Sequence, residues 1–93
     1  MYKLIFTNKA LKSLKAIPKR DALQILEKLE ELSTDPDSAR NAKRLHSHPI
    51  AVFRLRIGDY RVLFDKEDTL RIIEVIDLGH RKYIYEWTYM HKL

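Results

Sequence analysis

The chain contains no cysteine. That excludes a disulfide framework and thiolate-bound metal, and it fits a reducing compartment. Glycine is nearly absent as well, with two in 93 residues, so no glycine-rich phosphate loop is present. No apolar stretch approaches the roughly 20 residues that cross a bilayer. The opening Met1-Tyr2-Lys3-Leu4-Ile5-Phe6 also lacks the long apolar run of a signal peptide. These absences predict a soluble cytoplasmic protein. Three prolines and 45% hydrophobic residues are ordinary globular composition, not low complexity. The length, residues 1–93, predicts a single domain with a modest core, since a chain this short buries only about two-thirds of its unfolded surface.

What the chain has is positive charge. Charged residues make up 33%, the net charge is +5 and the pI is near 9.6. Such a surface attracts nucleic acid first, then acidic protein or anionic lipid.

Tyr2 to Phe6 reads as a first strand, and Thr7 or Asn8 as the N-cap of a helix carrying Ala10, Leu11, Leu14 and Ile17 inward. Lys9, Lys12 and Lys15 face outward, and Pro18 separates this helix from the next. The second helix has Asp21 in its first turn and an apolar stripe of Ala22, Ile25, Leu26, Leu29 and Leu32. It stops at Ser33-Thr34-Asp35-Pro36. Ser38 to Arg44 shows no strong period and suits one or two helical turns. Thr69 to Leu78 is the most β-branched run and predicts a central strand covered on both faces. The expected fold is α+β: a small antiparallel sheet on an N-terminal αα-hairpin, in the order β-α-α-β-β-β with a short C-terminal segment.

The most informative stretch is Ile50 to Asp65. Two strands meet at Gly58-Asp59, and a glycine in first position suits a type II′ turn. A two-residue loop sets Ile57 opposite Tyr60, Arg56 opposite Arg61 and Arg54 opposite Leu63. Three arginines then share one face, two of them directly across from each other, while Phe53, Leu55 and Ile57 share the other face. Like charges so placed cost stability. A polyanion site explains them better than a solvated face does.

Guanidinium does not act as a base in proteins, but it grips phosphate in a bidentate fork and stabilises developing negative charge. Proton transfer needs another group. His80, next to Arg81 at the end of the predicted central strand, is a usable proton-transfer group. Tyr85 can stack on a base or bond a phosphate oxygen, and Lys43, Arg44, Arg56 and Lys82 add positive charge for a polyanion. His46 and His48 share a face on an extended segment, yet they lack a third ligand in register and sit beside Lys43-Arg44. No metal or cofactor is expected. Asp35, Asp37, Asp65, Glu67 and Asp68 read as solvated turn charge.

Phe6-Thr7-Asn8-Lys9-Ala10 leading to Leu14-Lys15 and Pro18 is similar to the opening of RelE/ParE superfamily toxins. So are Lys43-Arg44-Leu45, the run Arg54 to Val62, and Gly79-His80-Arg81 followed by Tyr85. The resemblance covers Tyr2 to Tyr85 in order. It implies a toxin of a type II toxin–antitoxin pair, and in the RelE branch a ribosome-dependent endoribonuclease that cuts mRNA in the A site. There the 2′-OH attacks the adjacent phosphate and leaves a cyclic phosphate and a 5′-OH. By position the resemblance gives phosphate-gripping and assisting roles to Arg54, Arg61, Arg81 and Tyr85; Arg56 joins them from strand geometry alone. Some active members carry a lysine where Val52 stands, which leaves His80 as the leading proton-transfer group. The resemblance also implies a cognate, acidic or amphipathic antitoxin, docking on the first helix or the Trp87-Thr88-Tyr89-Met90 tail. Two other outcomes stay open: a ParE-like DNA gyrase inhibitor without nuclease activity, and a weak toxin that mainly binds its antitoxin.

Overall fold

The structure, a computed structural model, describes residues 1–45, 51 and 53–84. Strand β1 (Lys3–Phe6) leads into helices α1 (Asn8–Ala16) and α2 (Lys19–Thr34). A 3-10 turn (Pro36–Ser38) follows, then strands β2 (Ala42–Arg44), β3 (Phe53–Ile57), β4 (Tyr60–Glu67) and β5 (Ile72–His80). The five strands form one sheet in the order β1-β5-β4-β3-β2. All neighbours are antiparallel except β1, which runs parallel to β5.

Local chemistry sets the helix ends. Thr7 caps α1, its hydroxyl accepting from the Ala10 amide at 3.0 Å and donating to the Ile76 carbonyl at 2.6 Å. One side chain therefore starts the helix and ties it to β5. Ile17 precedes Pro18 and takes the extended conformation that proline imposes on its predecessor, with ψ 163°. Asp35 before Pro36 also leaves the helical region, at φ −152° and ψ 80°, and ends α2.

Both helices cover one face of the sheet. Ala10 from α1 and Ile25, Leu29 and Leu32 from α2 pack on Leu55, Ile57, Val62, Phe64, Ile73, Val75 and Leu78. Positions 25, 29 and 32 repeat at i, i+4 and i+7, one stripe of a helix. Each of the larger side chains contributes about 1.5–3 kcal/mol on burial. The buried faces of both helices are narrower than the sequence suggests, because Leu11 of α1 and Leu26 of α2 remain exposed at 40% and 37%. A satellite cluster of Ala51, Leu63 and Ile84, with Leu45 and Ile76 against it, covers the middle of the opposite face.

Two elements differ from expectation. Ser38 to Arg44 holds a strand, β2, rather than helical turns; Ala42, Lys43 and Arg44 pair with Leu55, Arg54 and Phe53. Its three residues carry little local signal, and hydrogen bonds from β3 supply the structure. Lysine on so short an edge strand also discourages pairing with another chain. Strand β5 begins at Ile72, not Thr69, since Thr69 to Arg71 make the turn and Arg71 has φ 54°. It does lie inside the sheet, between β1 and β4, and a register shift at Leu63/Phe64 leaves Ile76 as the extra residue.

Candidate anion-binding site

The β3–β4 hairpin has the predicted register: Ile57 pairs with Tyr60, Arg56 with Arg61, Leu55 with Val62 and Arg54 with Leu63. Gly58 has φ +58° and Asp59 is not in the left-handed region, the pattern of a type II′ turn. Pairs alternate down a hairpin, and the pair next to the turn-closing residues lacks mutual hydrogen bonds. Accordingly the Arg56 amide donates outward, to the Asn41 carbonyl at 3.0 Å. In such a pair the Cα atoms stand about 4.5 Å apart, the closer of the two spacings. The two guanidinium stems thus leave the sheet side by side.

Alternation sorts the other basic residues. Leu55, Ile57 and Val62 point into the core, so Arg54, Arg56 and Arg61 stand on the open face. Lys43 pairs with Arg54 across the β2 edge and shares that face. Arg54 and Arg61 are half-buried, Lys43 and Arg56 exposed. Arg61 is tethered: its Nη1 donates to the carbonyls of Gly58 and Tyr60, both at 2.9 Å. Its guanidinium therefore lies back over the turn. Among the described residues, no carboxylate within 4.0 Å pairs with Lys43, Arg54 or Arg56.

Arg81 sits at the turn end of this face. Its amide donates to the Asp59 carbonyl at 2.7 Å, and its Nε lies 3.8 Å from Asp59 Oδ1. Ile84 packs over Gly79, which pairs with Arg61. Lys82 is exposed next to Arg81.

Two of the predicted residues are not brought to this face. His80 pairs with Tyr60, and Tyr60 shares a face with Ile57, so the imidazole lies on the helix side of the sheet. Its ring meets Tyr60 edge-on at 6.1 Å and Tyr83 at 6.0 Å. Arg44 pairs with Phe53 and is likewise on the helix side. Tyr85, Val52, His46, His48 and the Trp87 tail lie outside the described residues.

Sequence reasoning missed the braces around the site. The Tyr60 hydroxyl donates to Asp21 Oδ2 at 2.8 Å, and this bond, with burial second, raises the tyrosine pKa above 10.0. A first-turn aspartate thereby locks the base of β4 to α2. Asp77, 3% exposed, accepts from Ser13 Oγ at 2.7 Å and from the Leu78 amide at 2.8 Å, which pins α1 to β5. Neither pair has a signal in the linear sequence, because its partners are 39 and 64 residues apart. No group of three His, Asp or Glu among the described residues is placed to hold a metal. No helix among them is long and apolar enough to cross a membrane.

The same α+β arrangement recurs in solved toxins. The toxin–antitoxin complex RelBE2 of Mycobacterium tuberculosis matches with a TM-score of 0.75 at 28% identity, over 86% of this chain and 98% of that one. The archaeal RelE–RelB complex of Pyrococcus horikoshii matches at 0.74 and 23% identity, over 88% of this chain and 97% of that one. The isolated E. coli RelE toxin matches at 0.70 and 24% identity over 100% of both chains. At such identities the last two establish the fold alone. No curated protein matches the sequence. The family described as ParE toxin of type II toxin-antitoxin system, parDE, matches residues 4–85. The chain belongs to that family, within the RelE/ParE superfamily, and is a toxin of a type II toxin–antitoxin system.

Proposed function

We propose that this toxin is an endoribonuclease that enters the ribosomal A site in the cytoplasm and cuts mRNA there. The observation that carries the reading is the open face itself. Arg56 and Arg61 stand directly opposite each other, with Arg54 and Lys43 alongside and Arg81 at the turn end. Like charges set directly across two strands repel each other, and a phosphodiester between them would offset that repulsion.

In the proposed reaction the 2′-oxygen attacks the adjacent phosphorus while the P–O5′ bond breaks. The 2′-OH loses its proton to a base and the departing 5′-oxygen takes one up. Negative charge builds on the non-bridging oxygens, where guanidiniums stabilise it without proton transfer. Arg54, Arg56 and Arg61 would hold the scissile phosphate, Arg81 would assist from the turn, and Tyr85 joins them by resemblance. Lys43 and Lys82 would contact neighbouring phosphates. His80 faces away from the guanidiniums, so the proposal assigns it no proton transfer. The partners are the ribosome with its mRNA and a cognate antitoxin, the latter supported by the similar M. tuberculosis toxin, whose structure is a toxin–antitoxin complex.

The test is to induce the chain without antitoxin and map mRNA 5′ ends on translated and untranslated copies of one message. Cuts confined to the translated copy, and lost in Arg56→Ala and Arg61→Ala, are expected. Growth arrest with DNA damage signalling and no cuts would replace this reading with gyrase inhibition. No arrest and no cuts would leave a chain that mainly binds its antitoxin.

A further inference from the structure

We propose that His80 is a positioning residue whose imidazole plays the part of an asparagine side chain, closing the turn that sets Arg81 at the end of the arginine face. The reading of Arg81 as a phosphate-gripping residue rests on the function proposed above; the turn itself does not.

Strand β5 ends at His80, and the chain then reverses. The Lys82 amide donates to His80 Nδ1 at 3.2 Å, and the Tyr83 amide donates to the His80 carbonyl at 2.9 Å. A side-chain acceptor that captures the amide two residues on is the bond of an Asx-turn. Nδ1 is separated from Cα by the same number of bonds as the amide oxygen of asparagine, so histidine reaches the same amide. An N–H can donate only to a bare ring nitrogen, which places the imidazole proton on Nε2.

The ring is also held from its other side. Tyr60 meets it edge-on, and the Tyr60 hydroxyl is anchored on Asp21 of α2. Tyr83 lies against it from its own turn. The imidazole is therefore wedged between β4 and the reversal. Directly after it the Arg81 amide bonds the Asp59 carbonyl, and Ile84 is buried on the open face with Leu63 and Ala51. The turn at His80 thus carries the chain from the helix side of the sheet to the arginine side. It fixes where Arg81 leaves the backbone.

Two substitutions separate this role from proton transfer. His80→Asn keeps the acceptor and removes the titratable ring. His80→Phe keeps the aromatic wedge against Tyr60 and Tyr83 and removes the acceptor. The first readout is hydrogen exchange of the Lys82 amide in the free full-length chain, which needs no RNA. Wild type and His80→Asn should protect it equally, and His80→Phe should speed its exchange about threefold to tenfold, the worth of one net hydrogen bond. Equal exchange in all three would overturn the turn.

The second readout is cleavage of a reporter message during cell-free translation. His80→Asn should cut within about threefold of wild type, His80→Phe about tenfold more slowly, and His80→Phe should cost nothing further in an Arg81→Ala background. A ring that carried the proton would give a different result: both variants would lose most of the cutting, and that would overturn the positioning role. A wild-type chain that cuts nothing would sink the nuclease reading, while amide exchange would still judge the turn.

Discussion

At one end of the open face Arg56 stands opposite Arg61; at the other, Asp65 stands opposite Glu74. Both are like-charge pairs directly across neighbouring strands, on the same side of one sheet. Along β4 the outward residues run Arg61, Leu63, Asp65, so the two ends are only about 13 Å apart at the rise of a strand. Between them lies the apolar cluster of Leu63, Ala51 and Ile84. Each pair costs a few tenths of a kcal/mol up to about 1. The difference is in sign, and it makes the face polar. On the function proposed above, a phosphate chain would be drawn to the hairpin end and repelled from the other, so the face would orient its ligand as well as bind it. At the basic end Arg61 is bonded to two turn carbonyls; the acidic end lies next to a turn containing a left-handed arginine.

The largest effect should come from removing the basic pair. Arg56→Ala and Arg61→Ala should each slow cleavage about tenfold to a hundredfold, about 1.4–2.7 kcal/mol of transition-state stabilisation. Asp65→Ala and Glu74→Ala should leave the rate within about threefold, measured on the same reporter message. Equal losses at both ends would remove the polarity argument.

Reversing the acidic end sharpens it. Glu74→Lys removes a repulsion with Asp65 and should raise stability by about 0.5 kcal/mol in urea unfolding. It should also steepen the salt dependence of binding to a single-stranded RNA by about one phosphate contact. An unchanged salt slope would mean that the acidic end never meets the RNA.

The turn at the acidic end carries a pH signature. Lys66 Nζ bonds Asp37 at 2.9 Å and lies 3.4 Å from Asp68, which accepts from the Tyr2 hydroxyl at 2.7 Å. The bond from Tyr2 holds the Asp68 carboxyl below its ordinary 3.8, and the bond to Asp37 holds the Lys66 ammonium above its ordinary 10.5. A lowered carboxylate pKa contributes stability that is present above 3.8 and lost as pH falls through the folded value. A raised lysine pKa contributes stability that is present below 10.5 and lost as pH rises through the folded value. Tyr2→Phe should therefore flatten the acid limb of Tm against pH, and Lys66→Met the alkaline limb. Neither should move cleavage at neutral pH.

The smallest effect belongs to Arg71. Its φ of 54° is strained for a residue with a Cβ, by about 1–2 kcal/mol, and glycine would relieve that. The substitution also removes the guanidinium from above the Tyr2 ring, 5.9 Å from its centroid, a loss of about 0.5–1 kcal/mol. Arg71→Gly should therefore be neutral or raise Tm by a few degrees, read by thermal unfolding.

The hairpin was legible because its determinants are adjacent. Gly58 sets the turn, a two-residue loop sets the register, and alternation then assigns every side chain a face. The helices were legible for the same reason: Thr7, Pro18 and Pro36 act on their immediate neighbours. Strand β2 was not, since Ala42 to Arg44 become a strand only when β3 offers its edge. His80 shows the limit most sharply. Next to Arg81 in sequence it looks like a proton carrier for the same phosphate, yet consecutive strand residues point to opposite faces. Which face His80 takes depends on the β4–β5 register, and that register includes a bulge at Ile76.

The sequence alone determined the charge, the order of the elements apart from β2, the hairpin with its arginine face, and the superfamily, because each depends on contacts within a few residues or on composition. Only the tertiary structure decided that β1 runs parallel to β5, that Lys43 joins Arg54, and that Asp59 meets Arg81 while His80 turns toward Tyr60. Those pairings join residues 11 to 69 positions apart, and only folding brings them together.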